Sequence, residues 1–139
     1  MTGEHSAFWN DLAEDLQDPE FLRHYVVESI RIATIDRIVN ELDEARDAAD
    51  LSKAALARAI SADPAVVRRL FSAKHVNPTL GTLAEVAAAL GMRITLEPLP
   101  PAERKSVTEP LLDGRAADTQ ALAQHLGELR NGTSRSAAA

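Results

Sequence analysis

The chain has 139 residues, 45% of them apolar and 4% aromatic, and a net charge of −6; that length suits one domain with extensions, and a core so poor in aromatics must be built from Leu, Ile, Val and Ala, which favours packed helices over a β-sandwich. The absence of Cys excludes disulfides, thiol catalysis and Cys-ligated zinc or iron–sulfur centres. No apolar run approaches the roughly 18–20 residues of a membrane span, and the acidic start MTGEHSAFWNDLAEDL lacks the basic flank and apolar stretch of a signal peptide, so a soluble, cytoplasmic protein without a membrane partner is expected.

The first predicted helix runs from Ala7 to Gln17, with Phe8, Leu12 and Leu16 at four-residue spacing. Asp18-Pro19 reads as an N-cap followed by proline at the first helical position. From Pro19 to about Ala49 the pattern stays helical, with Leu22, Val26, Ile30, Ile35, Val39 and Leu42 recurring every three to five residues. It fits one long helix, or two meeting near Ala33-Thr34. Its apolar surface is free either to fold back on the same chain or to face a second subunit. Ser52 caps the next helix, to about Ile60, with Leu51 as a hydrophobic staple. Asp63-Pro64 repeats the cap-plus-proline signal for a helix to about Ser72, and Thr79 caps another to Leu90, closed by Gly91. Met92, Ile94 and Leu96 then alternate with Arg93, Thr95 and Glu97, the period of a short strand that Pro98, Pro100 and Pro101 end. Residues 99–139 read as a polar tail, with a short helix over Asp118–Arg130 weakened by Gly127 and a disordered NGTSRSAAA end.

Charge is unevenly distributed. Residues 1–50 hold 13 acids against 4 basic residues, whereas residues 51–80 hold Lys53, Arg58, Arg68, Arg69 and Lys74 against Asp63 alone. A short basic segment within an acidic chain is either the footprint of contact with a polyanion or a chance cluster on a solvated face. No nucleophile–base set, P-loop, G-x-S-x-G or G-x-G-x-x-G motif occurs, and His5, His24, His75 and His125 lie too far apart for metal-ligand spacing; neither an enzyme nor a cofactor or metal is expected.

Two short capped helices separated by a tight turn, with the small residue Ala57 at their approach and Val67 and Leu70 on the inner side of the second, meet the requirements of a helix-turn-helix. At these residues the sequence resembles the Cro/phage-repressor (XRE) helix-turn-helix family: LSKAALARAI matches its second helix, DPAVVRRLFSA its recognition helix and NPTLGTLAEVAAALG its fourth. The resemblance implies an all-α, lambda-repressor-like domain over residues 38–98, with an acidic helical extension over 1–37 and the short strand at its C-terminal end. It further implies a homodimer that binds a double-stranded DNA operator, two subunits reading half-sites about one helical turn apart. Ser52, Lys53, Pro64, Ala65, Arg68, Arg69, Lys74, His75 and Asn77 are the DNA-binding candidates: Ser52 and Lys53 at a helix N-terminus suited to a phosphate, Ala65 beside a thymine methyl, Arg68 on guanine, and Arg69, Lys74, His75 and Asn77 on the backbone. Val67, Leu70, Phe71, Leu56 and Ile60 belong to the core. The chain departs from the family at four places. Ser61 and Ala73 stand where glycine is usual, so Ser61 must accept a positive φ; Lys53 and Pro64 replace the amides that commonly read adenine. The helix DPEFLRHYVVESIRIATIDRIVNELDEAR and RITLEPL resemble HigA-type antitoxins more loosely. That resemblance implies a repressor of its own toxin–antitoxin operon or, as the alternative, a module whose main task is to neutralise a RelE/ParE-like toxin. The dimer interface is left open between the long N-terminal helix and the 92–97 strand.

Overall fold

The computed structural model describes residues 2–72 and 76–136, with side chains described over 7–72 and 76–131. Seven helices are present among them: α1 (Thr2–Asp15), α2 (Pro19–Ala48), α3 (Lys53–Ala59), α4 (Pro64–Ser72), α5 (Leu80–Ala89), α6 (Pro101–Asp113) and α7 (Thr119–Ser136). The chain divides into two compact units, one of residues 1–33 with 97–133, the other with residues 34–96 as its main body. α2 is one helix and contributes to both, which resolves the alternative of two helices meeting near Ala33-Thr34.

The first unit has its own core of Leu12, Leu16, Leu22, Val26, Val107, Leu122, Ala123 and Leu126. Asp18 opens α2, its Oδ1 accepting from the Glu20 N–H at 3.1 Å. Asp118 opens α7 in the same way, accepting from Gln120 and Ala121 at 3.1 and 3.0 Å. Arg23 of α2 donates to the carbonyls of Leu111 and Leu112 at the end of α6, groups that the last turn of a helix leaves unpaired. Arg130 of α7 lies over the Tyr25 ring, 4.5 Å from its centroid, and donates to the Ser29 hydroxyl at 2.8 Å. That hydroxyl donates in turn to the Tyr25 carbonyl, so the fully buried Ser29 is satisfied. On the solvent side of α2, Arg31 donates to both oxygens of Glu28 and holds that carboxyl below its ordinary range.

Where a polar tail was expected, Pro101–Asp113 and Thr119–Ser136 are helical. Pro101, read as the end of a strand, is the first residue of α6, where a missing N–H costs nothing. Gly114 closes that helix with φ 78°, and Val107, Leu122 and Leu126 are core residues. The supposedly disordered end is helical as far as Ser136. Of the expected acidic extension over 1–37, apolar residues from Trp9 to Ile30 pack with α6 and α7 in one core, whereas Ile35 packs on the other.

The second unit is built on Val39, Leu42, Leu56, Ala57, Val67, Leu70, Leu83, Val86 and Ala87, with Ile60, Phe71 and Ile94 packed partly buried against them. Three of its helices end in the same reciprocal pattern. Leu51 N–H bonds the Arg46 carbonyl and Asp50 N–H that of Asp47; Ala62 and Ser61 repeat this on Ala57 and Arg58, and Met92 and Gly91 on Ala87 and Ala88. Such caps require a left-handed residue, and Asp50, Ser61 and Gly91 supply it with φ of 56°, 55° and 74°. The strand expected over Met92 to Glu97 is not formed: residues 92–100 have no regular structure and no strand occurs among the described residues. A lone strand has no ladder to join, and only Ile94 of the alternating apolar set reaches the core.

Candidate nucleic-acid interface

α3 and α4 are joined by Ile60-Ser61-Ala62-Asp63, and their buried residues are Leu56 and Ala57 on one side, Val67 and Leu70 on the other. Ala57 has no side chain beyond Cβ and is fully buried, which lets the helices approach. Arg46 steadies the start of α3: it is held by Asp43 at 2.9 Å, donates to the Leu51 carbonyl at 2.8 Å, and lies 5.8 Å from the Phe71 ring centroid.

With Val67 and Leu70 buried, the 3.6-residue period turns Ala65, Arg68, Arg69 and Ser72 to the opposite side of α4. Arg68, Arg69 and Ser72 are exposed, as is Pro64 at the helix start, and Ala65 is half-buried. Lys53 begins α3, half-buried, and Arg58 further along it is exposed. None of Lys53, Arg58, Arg68 and Arg69 forms an ion pair among the described residues. A row of uncompensated cations on neighbouring helices is an anion-seeking surface. Asp63 lies at its edge, its Oδ1 accepting from the Ala65 N–H at 2.8 Å as the N-cap of α4.

Ser52 is placed as expected but its oxygen is engaged, accepting from the Ala55 N–H at 3.0 Å; its hydroxyl proton remains available to an acceptor. Asn77 is exposed just before α5, whose N-cap Thr79 accepts from Thr82 N–H at 3.1 Å. Lys74 and His75, and Ala73 with them, lie outside the described residues. Reading the sequence placed Arg58 in the basic segment but not among the contact candidates, and it missed the exposed Ser72, which follows Arg68 by one helical turn.

Residues 42–96 match the family model described as helix-turn-helix. This segment contains α3, α4 and α5 together with the end of α2 and the stretch after Gly91. Over these residues the chain is similar to a helix-turn-helix domain, a likeness that supports a DNA-binding regulator. No curated protein and no solved structure matches the chain. No helix among the described residues is long and apolar enough to cross a membrane.

Proposed function

We propose that the chain is a sequence-specific, double-stranded DNA-binding transcriptional repressor that acts as a cytoplasmic homodimer. The observation that carries this is the outer side of α4, where Arg68 and Arg69 are exposed and unpaired within a segment matching the helix-turn-helix model. α4 enters the major groove, and Arg68 donates to guanine O6 and N7. Ala65 and the neighbouring Val66, 39% exposed, meet thymine methyls, and Lys53, Arg58, Arg69, Lys74, His75 and Asn77 hold phosphates. The test is binding to the DNA upstream of the chain's own gene, titrated with salt. Arg68→Ala is expected to lower affinity for that DNA by about 1–3 kcal/mol and leave binding to scrambled DNA almost unchanged. Lys53→Ala weakens both alike and reduces the salt slope by about 1. Equal affinity of the native protein for upstream and scrambled DNA removes the proposal.

The gene so regulated is a toxin–antitoxin operon on this reading, with the chain as its antitoxin. Support comes from the first unit, which has a core of its own and in which residues 1–33 and 97–133 hold thirteen acids against six basic residues. An acidic helical body suits a basic, RNA-cleaving RelE/ParE-like partner and is unsuited to DNA. The reading requires a small basic toxin encoded beside this chain, and co-expression with it is the test: growth rescue by Arg68→Ala as well as by the native chain assigns neutralisation to the acidic unit, and the absence of such a gene, or no rescue by either chain, removes the antitoxin role.

A further inference from the structure

The homodimer just proposed must meet somewhere, and the following inference rests on that reading. After Gly91 the Met92 N–H turns back to the Ala87 carbonyl at 2.8 Å. From Arg93 to Leu99 no backbone group has a backbone partner among the described residues. Ile94 packs on the core of its own unit, whereas Leu96, two residues on, is 99% exposed, and Arg93, Thr95 and Glu97 are exposed as well. A run of unspent N–H and C=O groups beside a bare leucine is a template for another strand.

We propose that residues 93–97 pair antiparallel with the same residues of a second copy, about a twofold axis at Thr95. In that register Arg93 stands opposite Glu97 of the second copy, Ile94 opposite Leu96, and Thr95 opposite Thr95. The segment is complementary to itself in both charge and apolar character. A slip of two residues in either direction loses both charge pairs.

The backbone selects the same arrangement independently. In an antiparallel pair, alternate residues turn their N–H and C=O toward the partner and those between turn them away. The Met92 N–H is already committed to its own helix, and Pro98 has no N–H to give. Residues 92, 94, 96 and 98 are therefore the ones turned away, and 93, 95 and 97 exchange bonds with the second copy. Facing residues that do not exchange bonds are the closer kind, about 4.5 Å between Cα atoms. Ile94 and the second copy's Leu96 form such a pair, and Leu96 gains the cover that its own chain does not provide.

The test uses the full chain in sedimentation experiments on the native protein, Arg93→Glu and the double variant Arg93→Glu/Glu97→Arg. Arg93→Glu places like charges opposite each other twice per dimer and is expected to raise the dimer dissociation constant at least about tenfold, whereas the double variant restores it. Thr95→Cys, in a chain that otherwise lacks cysteine, is expected to form a disulfide-linked dimer under mild oxidation, since directly opposed residues lie within disulfide reach. An unweakened Arg93→Glu dimer, a double variant that is not restored, or a Thr95→Cys chain that stays uncrosslinked overturns the pairing. DNA binding in the same samples separates the two readings. A specific, dimeric binder insensitive to these substitutions removes the pairing and leaves the repressor; native protein without sequence preference removes the repressor whatever its dimer does.

Discussion

Ser61 holds φ at 55°, in a region where a β-carbon meets the following carbonyl oxygen at a cost of roughly 1–2 kcal/mol. The turn between α3 and α4 requires that angle because the Ala62 and Ser61 N–H groups must reach back to Ala57 and Arg58. Ser61→Gly removes the clash and returns part of the gain as unfolded-chain entropy, so a net stabilisation of about 0.5–1 kcal/mol is expected in urea unfolding. Gly127 presents the opposite case. In the middle of α7 a glycine costs about 1 kcal/mol relative to alanine, and propensity alone argues for replacing it. A β-carbon there would collide with the Trp9 ring. Forcing a methyl into a filled space costs about 1–3 kcal/mol, so Gly127→Ala is expected to lower stability, by about 1 kcal/mol, despite its better propensity. A rise in melting temperature for Gly127→Ala would show that Trp9 yields easily. The same glycine weakened α7 in the sequence because the partner that makes it necessary lies more than a hundred residues away.

At the scale of elements, α4 is fixed at its start by a carboxylate that also stands beside the proposed phosphate path. The Asp63 side chain caps the helix, and its charge opposes a polyanion. Asp63→Asn keeps the capping oxygen and removes the charge: stability is expected to change by no more than a few tenths of a kcal/mol, and DNA affinity at low salt to rise several-fold, the gain fading as salt screens it. Asp63→Ala loses the cap as well and costs about 1 kcal/mol of stability. Unchanged DNA affinity in Asp63→Asn would place the start of α4 away from the phosphates. The caps Asp18, Ser52, Asp63 and Thr79 and the closing Gly91 were legible because each acts within a few residues of itself, and α3 to α5 follow from them. α6 was not legible. Its start was concealed by prolines that also end strands, and its two buried side chains are Val107 and Pro110, the second a residue that ordinarily interrupts a helix. The 92–97 alternation is real in the sequence, but a ladder needs a second strand, and none occurs among the described residues. On the candidate surface the cations were readable as a cluster, whereas the engagement of the Ser52 oxygen required coordinates.

For the whole molecule the decisive feature is that two cores serve two differently charged bodies. Residues 34–96 hold eight acids and eight basic residues, so the acidic excess belongs almost entirely to the unit made by α1, the first half of α2, α6 and α7. A protein whose proposed DNA surface and acidic helices have separate hydrophobic cores can lose one without the other. Leu126 is fully buried in the first core. Truncating such a leucine costs about 2–5 kcal/mol, enough to unfold a small unit of marginal stability. Leu126→Ala is therefore expected to split thermal unfolding, followed by circular dichroism, into an early loss of part of the helix signal and a later transition close to the native one. Below that second transition, affinity for the upstream DNA should stay within about threefold of native, because folding of α3 to α5 is maintained by Leu56, Val67, Leu83 and Val86. Protection of a basic partner should be lost at the first transition. Parallel loss of DNA binding and of the early helix signal would mean that the two cores fold as one cooperative body, and the division of labour between them would have to be abandoned.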